Sequence, residues 1–179
     1  MNPSRTPARA RRAAAAFLAA LSLAALLVEA APATAEPVKL LKPEDYQSRI
    51  VAGRKGRVLL MDDEELVRNV AGALIRAIGH EVDCAVHGEE ALTKYREAQR
   101  TGQTYDTVIL DLTIRGGMGG AEALQRLLLI DRDVMAVVSS GYSDDAITSN
   151  YREHGFKAFL KKPYDIDHLQ HVLNTTIAP

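Results

Sequence analysis

The chain has 179 residues, of which 47% are hydrophobic and 25% charged, and its formal net charge is −1. Residues 1–35 hold four arginines and one glutamate, a net charge of +3, which leaves 18 basic and 22 acidic side chains, a net charge of −4, on residues 36–179. An acidic body argues against a nucleic-acid-binding domain, and the single cysteine, Cys84, excludes a disulfide framework and a cysteine zinc site.

Residues 1–35 have the composition of a targeting segment. Fourteen of them are alanine, residues 13–28 form an uncharged run, and Ala33-Thr34-Ala35 matches the A-x-A cleavage pattern. A basic stretch, an apolar run and such a site are together typical of a secretory signal. Because the run is shorter than the ~20 residues that span a bilayer, it also fits a short uncleaved anchor. An alanine-rich tail or a misplaced start site is the remaining interpretation.

Residues 36–56 are basic and rich in proline and glycine, which predicts a linker. Between residues 57 and 176, short apolar runs alternate with longer amphipathic stretches. The predicted strands are Val58–Met61, Val82–Val86, Thr107–Leu110, Val134–Val138 and Ala158–Leu160, and the predicted helices are Glu64–Ile78, Glu89–Arg100, Ala121–Asp131, Asp144–His154 and Asp165–Thr176. Five alternating units predict an α/β fold, a five-stranded doubly wound parallel sheet with helices on both faces.

Polar side chains follow four of the five predicted strands. They are Asp62 and Asp63, Asp111, Ser139, and Lys162. Each has an ordinary explanation by itself, such as helix capping. In the strand order 2-1-3-4-5, however, strands one and three are neighbours, so that the three aspartates converge at one edge of the sheet. Carboxylates this close repel one another unless a cation lies among them.

The chemistry of these ligands selects the cation. Hard oxygen ligands without histidine or cysteine favour Mg²⁺ or Mn²⁺ over zinc. A lysine and a hydroxyl facing the same cluster are well placed to hold an anion. The set predicts a phosphoryl-transfer site in which a carboxylate can be the nucleophile. The histidines show no metal-ligand spacing and are interpreted as surface residues: His80, His87, His154, His168 and His171.

Four motifs in this order resemble a known family. The motifs are VLLMDDE, VILDLT, VVSSGYSDD and AFLKKPYD, separated by fitting distances. Residues 57–176 resemble the receiver domain of two-component response regulators. The resemblance implies a flavodoxin-like (βα)5 fold with strand order 2-1-3-4-5.

The resemblance also implies a role for each matching residue. Asp111 would be the phosphoacceptor. Mg²⁺, with Mn²⁺ as the alternative, would be held by Asp62, Asp63, Asp111 and the backbone carbonyl of Thr113, with Asp62 acting through a metal-bound water. Lys162 would bind the phosphoryl oxygens through a turn with a cis Lys162–Pro163 peptide. Ser139 would be the switch hydroxyl and Phe159 the aromatic side chain that rotates on activation.

One loop departs from the family pattern. After Asp111 the family usually has a proline and a Met-Asp-Gly turn, whereas this chain has Arg115 and the glycine-rich segment Gly116–Gly120. Four glycines in five positions predict a soft loop. The wording GGMGG resembles receivers attached to hybrid histidine kinases.

The leading functional hypothesis is a phospho-accepting module of a phosphorelay, without an output domain of its own. It would receive its phosphoryl group from a histidine kinase or a histidine phosphotransfer domain and switch a protein-binding surface, with no nucleic-acid partner. It would not be an enzyme beyond slow self-dephosphorylation. The alternatives are a Mg²⁺-dependent aspartyl-phosphate phosphohydrolase, although Asp62-Asp63-Glu64-Glu65 lacks the DxDx[TV] spacing, and a non-phosphorylated interaction domain.

The leader and the body make conflicting demands on location. ATP-dependent kinases make phosphohistidine in the cytoplasm, whereas the leader has the pattern of an export signal. We therefore expect the receiver in the cytoplasm, with residues 13–28 as a possible membrane tether. The four basic residues before the apolar run and the six between it and the first strand do not forbid that orientation. A cleaved secretory signal is the alternative.

Overall fold

The computed structural model describes residues 54–141 and 146–177. Five strands and five helices alternate along these residues. The strands are β1 (Arg57–Met61), β2 (Glu81–Ala85), β3 (Thr107–Asp111), β4 (Ala136–Ser140) and β5 (Ala158–Lys161). The helices are α1 (Glu65–Ile78), α2 (Gly88–Arg100), α3 (Gly120–Ile130), α4 (Ala146–Ser149) and α5 (Ile166–Thr176). The alternation predicted from the sequence is confirmed.

The strands form one parallel sheet in the order β2-β1-β3-β4-β5, as predicted. The three inner strands are buried along nearly their whole length. The edge strands β2 and β5 are partly exposed. Helices on both faces of the sheet account for the continuous apolar runs of the inner strands.

Alternate strand residues pack into two separate core clusters, because successive side chains of a strand point to opposite faces. One cluster packs on α2 and α3 and takes from the strands Leu59, Met61, Val108, Leu110 and Val138. The other packs on α1 and α5 and takes Val58, Leu60, Ile109, Val137 and Leu160. The sheet face that α1 and α5 cover also carries the polar residues at four strand ends, which are Asp62, Asp111, Ser139 and Lys162.

Strand β4 lies two residues further along the chain than the predicted Val134–Val138, so that prediction of its bounds is wrong. Asp131 explains the later start, since its Oδ1 accepts a hydrogen bond from the N–H of Asp133 at 2.9 Å and closes a turn there. Val134 stays in the core, at 2% exposure. The strand then continues through Ser139 and Ser140, which pair with Leu160 and Lys161 of β5.

The predicted helix Asp144–His154 is also wrong in its extent. Its first two residues lie outside the described residues, and α4 ends at Ser149. Beyond that point the N–H of Glu153 bonds to the carbonyl of Asn150 at 2.9 Å, and the N–H of Gly155 to that of Arg152 at 3.0 Å. These tighter i to i+3 bonds replace helical ones, and Gly155, at φ +95°, takes a backbone conformation suited to glycine.

Candidate functional site

Four of the predicted site residues share one face of the sheet because of strand periodicity. Asp62, Asp111, Ser139 and Lys162 each stand two positions after a residue of the α1/α5 core cluster. The backbone N–H of Asp62 bonds to the carbonyl of Ala85, and that of Lys162 to the carbonyl of Ser140, so the strand pairing reaches these positions. Their side chains therefore converge at the carboxyl edge of the sheet, where parallel sheets bind ligands.

The three aspartates form one carboxylate cluster. One oxygen each of Asp62, Asp63 and Asp111 lies within 4.8 Å of the others. Asp62 is fully buried and Asp111 is 4% exposed. Hydrogen bonds from backbone N–H groups orient two of them. Asp62 Oδ1 accepts the N–H of Glu64 at 3.0 Å, and Asp63 Oδ2 accepts the N–H of Arg115 at 3.1 Å.

This cluster fits a divalent cation. Among the described residues, the buried Asp62 Oδ2 has no aligned hydrogen bond, although Lys162 Nζ lies 2.6 Å from it as a charge pair. Three carboxylates lie near the ammonium of Lys162, while the Arg68 guanidinium is bonded to the backbone carbonyl of Asp62 at 2.7 Å, so no cation other than Lys162 is paired with the carboxylate oxygens themselves among the contacts of the described residues. Carboxylate oxygens at this spacing are the ligands that Mg²⁺ prefers.

Lys162 links the cluster to the next part of the site. Its Nζ donates a hydrogen bond to Asp111 Oδ2 at 2.8 Å and pairs with Asp62. Burial lowers the pKa of the lysine, but its hydrogen bond to Asp111 and its charge pair with Asp62 outweigh burial and place the pKa above its ordinary value. Burial also raises the pKa of Asp111, against the opposing effect of Lys162. The cis Lys162–Pro163 peptide is confirmed.

Ser139 lies opposite Asp111 in the register of β3 and β4. Its side chain is fully buried, and its Oγ lies 2.5 Å from the hydroxyl of Tyr164, with either atom able to donate. The sequence reasoning missed Tyr164. The available signal was a polar hydroxyl on the residue directly after Lys162-Pro163, close to the predicted anion site.

The two remaining predicted residues lie in different surroundings. Thr113 is exposed, and its N–H donates to Asp111 Oδ1 at 3.4 Å, whereas the role of its carbonyl stays a prediction. Phe159 is half-buried and packs against the α2/α3 cluster, on the face opposite Ser139. It stands beside Val138 in the register of β4 and β5. Its proposed rotation also stays a prediction.

The glycine-rich loop is packed down over residues 118–120, so the expectation of a soft loop is wrong there. Met118 is 4% exposed and its carbonyl accepts the N–H of Gly88 at 2.9 Å. A Cβ on Gly119 would lie 2.5 Å from the carbonyl oxygen of Leu112, and one on Gly120 would lie 2.6 Å from that of Asp111. Glycine lets the loop pass directly over the end of β3.

One histidine departs from the surface interpretation. His80 is buried, at 8% exposure, and its Nδ1 accepts the N–H of Gly56 at 3.1 Å. Burial lowers its pKa, although Asp106 acts in the opposite direction. His154 and His171 are exposed, as predicted.

Comparison with known proteins decides the family. The sequence profile described as response regulator receiver domain matches residues 58–174. The chain belongs to the response regulator receiver domain family. Receiver domains are the phosphoacceptors of two-component systems and are generally not classed as enzymes, and the acidic pocket of this one fits phosphorylation with Mg²⁺.

Individual relatives agree with the family. The chemotaxis protein CheY of Thermotoga maritima is 30% identical over 119 residues, which cover 66% of this chain and 94% of that protein. The sensor kinase CckA of Brucella abortus is 30% identical over 139 residues, which cover 78% of this chain but 14% of the kinase. The receiver is therefore similar both to a free-standing regulator and to a small part of a sensor kinase.

A solved structure shows the same fold. The receiver domain of a sensor histidine kinase from Pseudomonas aeruginosa superposes with a TM-score of 0.58 at 23% identity, covering 69% of this chain and 98% of that one. That structure is described as having a magnesium ion coordinated in its active-site cleft.

No helix within residues 54–141 and 146–177 is long and apolar enough to cross a membrane. The predicted leader and most of the predicted linker lie outside the described residues.

Proposed function

We propose that this receiver accepts a phosphoryl group on Asp111 from a histidine kinase or a histidine phosphotransfer domain. The observation that carries the proposal is the grouping of three carboxylates within 4.8 Å around Asp111, with Lys162 Nζ 2.8 Å from the acceptor. This arrangement matches the needs of phosphoryl transfer, in which positioning and charge stabilisation supply most of the rate.

The acceptor forms the new bond. A carboxylate oxygen of Asp111 attacks phosphorus, the bond from phosphorus to the donor's imidazole nitrogen breaks, and that nitrogen keeps the electron pair and takes a proton from water. Asp62, Asp63, Asp111 and the carbonyl of Thr113 would hold Mg²⁺. The ion would supply positive charge against the phosphoryl oxygens.

Two further side chains serve the phosphorylated state. Lys162, already bonded to the acceptor carboxylate, would bond to a phosphoryl oxygen. Ser139 is the neighbour of Asp111 on β4 and would donate its hydroxyl to another. These two new bonds would switch the protein-binding surface through Phe159. A local change of charge biases a two-state element in this way.

The proposed donor sets the location. Because phosphohistidine is made with ATP, the proposal locates the receiver in the cytoplasm. A membrane tether formed by residues 13–28 is compatible with that location. Fractionation of cells, followed by sequencing the N-terminus of the mature protein, tests it. Recovery of a cleaved protein outside the cytoplasm would contradict it.

The acceptor assignment is tested by incubation with Mg²⁺ and acetyl phosphate, followed by intact-mass analysis. We expect one phosphoryl group on the wild-type protein and at least a hundred-fold slower labelling of Asp111→Asn, because the amide lacks the nucleophilic carboxylate. Asp133→Asn, a change at an exposed aspartate distant in sequence from the cluster, is the matched control and should label normally. Equal labelling of Asp111→Asn would show the assignment to be wrong.

A further inference from the structure

The hydroxyl of Tyr164 forms a hydrogen bond with the buried hydroxyl of Ser139. Ser139 is fully buried and the two oxygens are 2.5 Å apart. The acceptor carboxylate has other recorded partners, since Asp111 Oδ2 accepts from Lys162 and Oδ1 from the N–H of Thr113. In this structure, which carries no phosphoryl group, the Ser139 hydroxyl is therefore hydrogen-bonded to Tyr164.

The surroundings of Tyr164 fix where its hydroxyl lies. The ring packs against the α1/α5 core cluster, on the same face of the sheet as Ser139. The backbone is held on both sides of Tyr164. Two residues before it, the N–H of Lys162 bonds to the carbonyl of Ser140. Directly after it, Asp165 caps α5 by accepting the N–H of His168 at 2.7 Å. A ring anchored in this way places its hydroxyl without a large loss of side-chain entropy on bonding.

The two bonds of Ser139 compete through the position of its oxygen, which lies 2.5 Å from the hydroxyl of Tyr164 and would have to move toward a phosphoryl group on Asp111. Either hydroxyl can donate in the bond to Tyr164, whereas the phosphoryl oxygens only accept. If Ser139 turns its oxygen toward a phosphoryl group on Asp111, it leaves Tyr164 behind with a largely buried hydroxyl. An unpaired buried hydroxyl is unfavourable, so the bond to Tyr164 stabilises the unphosphorylated state selectively.

We propose that Tyr164 is a positioning residue that holds the Ser139 hydroxyl in the unphosphorylated domain and must release it when Asp111 carries a phosphoryl group. The proposal rests on the function proposed above. Tyr164 then sets how readily the domain switches, without contacting the reacting atoms.

The test is the affinity of the domain for beryllofluoride, a phosphoryl mimic on carboxylates, in the presence of Mg²⁺. We expect Tyr164→Phe to bind it about five-fold more tightly than the wild type, the scale of one neutral hydrogen bond. Tyr95→Phe is the matched control, because that buried tyrosine donates instead to Asp131 at 2.7 Å and packs on the α2/α3 face. Unchanged or weaker binding by Tyr164→Phe would overturn the proposal.

A double-mutant cycle tests the route through the serine. In a Ser139→Ala background, Tyr164→Phe should no longer change the affinity, because the bond it removes is already absent. A five-fold gain that persists without the Ser139 hydroxyl would overturn the role given to Tyr164.

A measurement that keeps the Tyr164 hydroxyl makes the test independent of whether Tyr164→Phe folds. The protein is labelled with 3-fluorotyrosine at codon 164 alone, and the ¹⁹F resonance should shift when beryllofluoride binds. A resonance that stays in place while the ligand binds would overturn the proposal.

The experiments distinguish a wrong function from a wrong role of Tyr164. If wild-type protein with Mg²⁺ binds no beryllofluoride and takes no phosphoryl group, the proposed function is wrong and the role of Tyr164 is lost with it. If the wild type binds the mimic and Tyr164→Phe binds it equally well, only the role of Tyr164 is wrong.

Discussion

Lys162 stands between two carboxylates that are almost entirely removed from water. Its Nζ lies 2.6 Å from Asp62 Oδ2 and 2.8 Å from Asp111 Oδ2. Burying such groups is unfavourable unless each is paired. Three carboxylates share this one ammonium, an arrangement that fits a divalent cation.

His80 is a second buried ionisable group, far along the chain from the carboxylate cluster. Its Nδ1 can accept the N–H of Gly56 only while the ring is neutral at that nitrogen. Burial holds the pKa of His80 below the ordinary value of 6.5. The folded state thus favours the neutral ring, and its contribution to stability is present above pH 6.5 and is lost as the pH falls through the folded-state pKa.

We expect acid titration of His80 to destabilise the domain, because a proton on Nδ1 leaves the N–H of Gly56 unpaired. The measurement is the free energy of unfolding between pH 7.5 and 5, compared with His80→Asn. Asparagine keeps an acceptor oxygen near the place of Nδ1 and does not titrate. Parallel pH profiles for the two proteins would contradict the assignment.

At the scale of elements, the connection from β3 to α3 is a packed segment. Met118 is buried against Gly88 at the start of α2, and Gly119 passes within contact distance of the carbonyl of Leu112. The same connection carries Arg115, whose N–H bonds to Asp63. Packing of this loop therefore holds together one end of the acceptor strand and one ligand of the carboxylate cluster.

Replacing Gly119 by alanine should destabilise the domain by about 2 kcal/mol, because the added Cβ would lie 2.5 Å from a backbone oxygen that belongs to the loop itself. The backbone at Gly119, φ −80° and ψ 174°, suits alanine, so the effect comes from the close contact alone. Thermal or denaturant unfolding measures it. A Cβ on Gly141 would have no atom of the described residues within 4 Å, so Gly141→Ala should change stability by less than about 0.5 kcal/mol. Equal effects at the two positions would contradict this account of the loop.

At the scale of the whole molecule, the carboxylate cluster couples folding to cation binding. Its aspartates come from the ends of β1 and β3, which lie side by side in the sheet. Unfolding separates these strands and destroys the cluster. A cation that binds only the folded state therefore stabilises the entire domain.

Mg²⁺ at ten times its dissociation constant should raise the free energy of unfolding by about 1.4 kcal/mol, and EDTA should reverse the gain. Thermal unfolding at constant ionic strength measures it. Asp63→Asn removes one ligand and should need far more Mg²⁺ for the same gain. Glu64→Gln changes the neighbouring exposed acid and should respond like the wild type. A response to Mg²⁺ that survives Asp63→Asn would place the ion elsewhere.

The layout of the domain and all three aspartates of the carboxylate cluster could be predicted from the sequence. Apolar runs alternating with amphipathic stretches are local patterns, and a polar residue after four of the five runs marks the strand end, so Asp62, Asp111 and Lys162 could be assigned to strand ends from the sequence. The structure brings these three together as predicted. Periodicity sufficed because parallel strands carry their carboxyl ends to one edge.

Contacts that form only in the folded chain account for the other features. The burial of His80 and the bond between Ser139 and Tyr164 depend on partners 24 and 25 positions away in the chain. The shift of β4 and the packing of Gly119 depend on the exact geometry of a turn and a loop. Hydrophobic periodicity reports which face a residue lies on, but not which atom of another element it meets there. Those atom-to-atom contacts arise when the packed helices and strands fix the side chains in space, and one of them brings the hydroxyls of Ser139 and Tyr164 together.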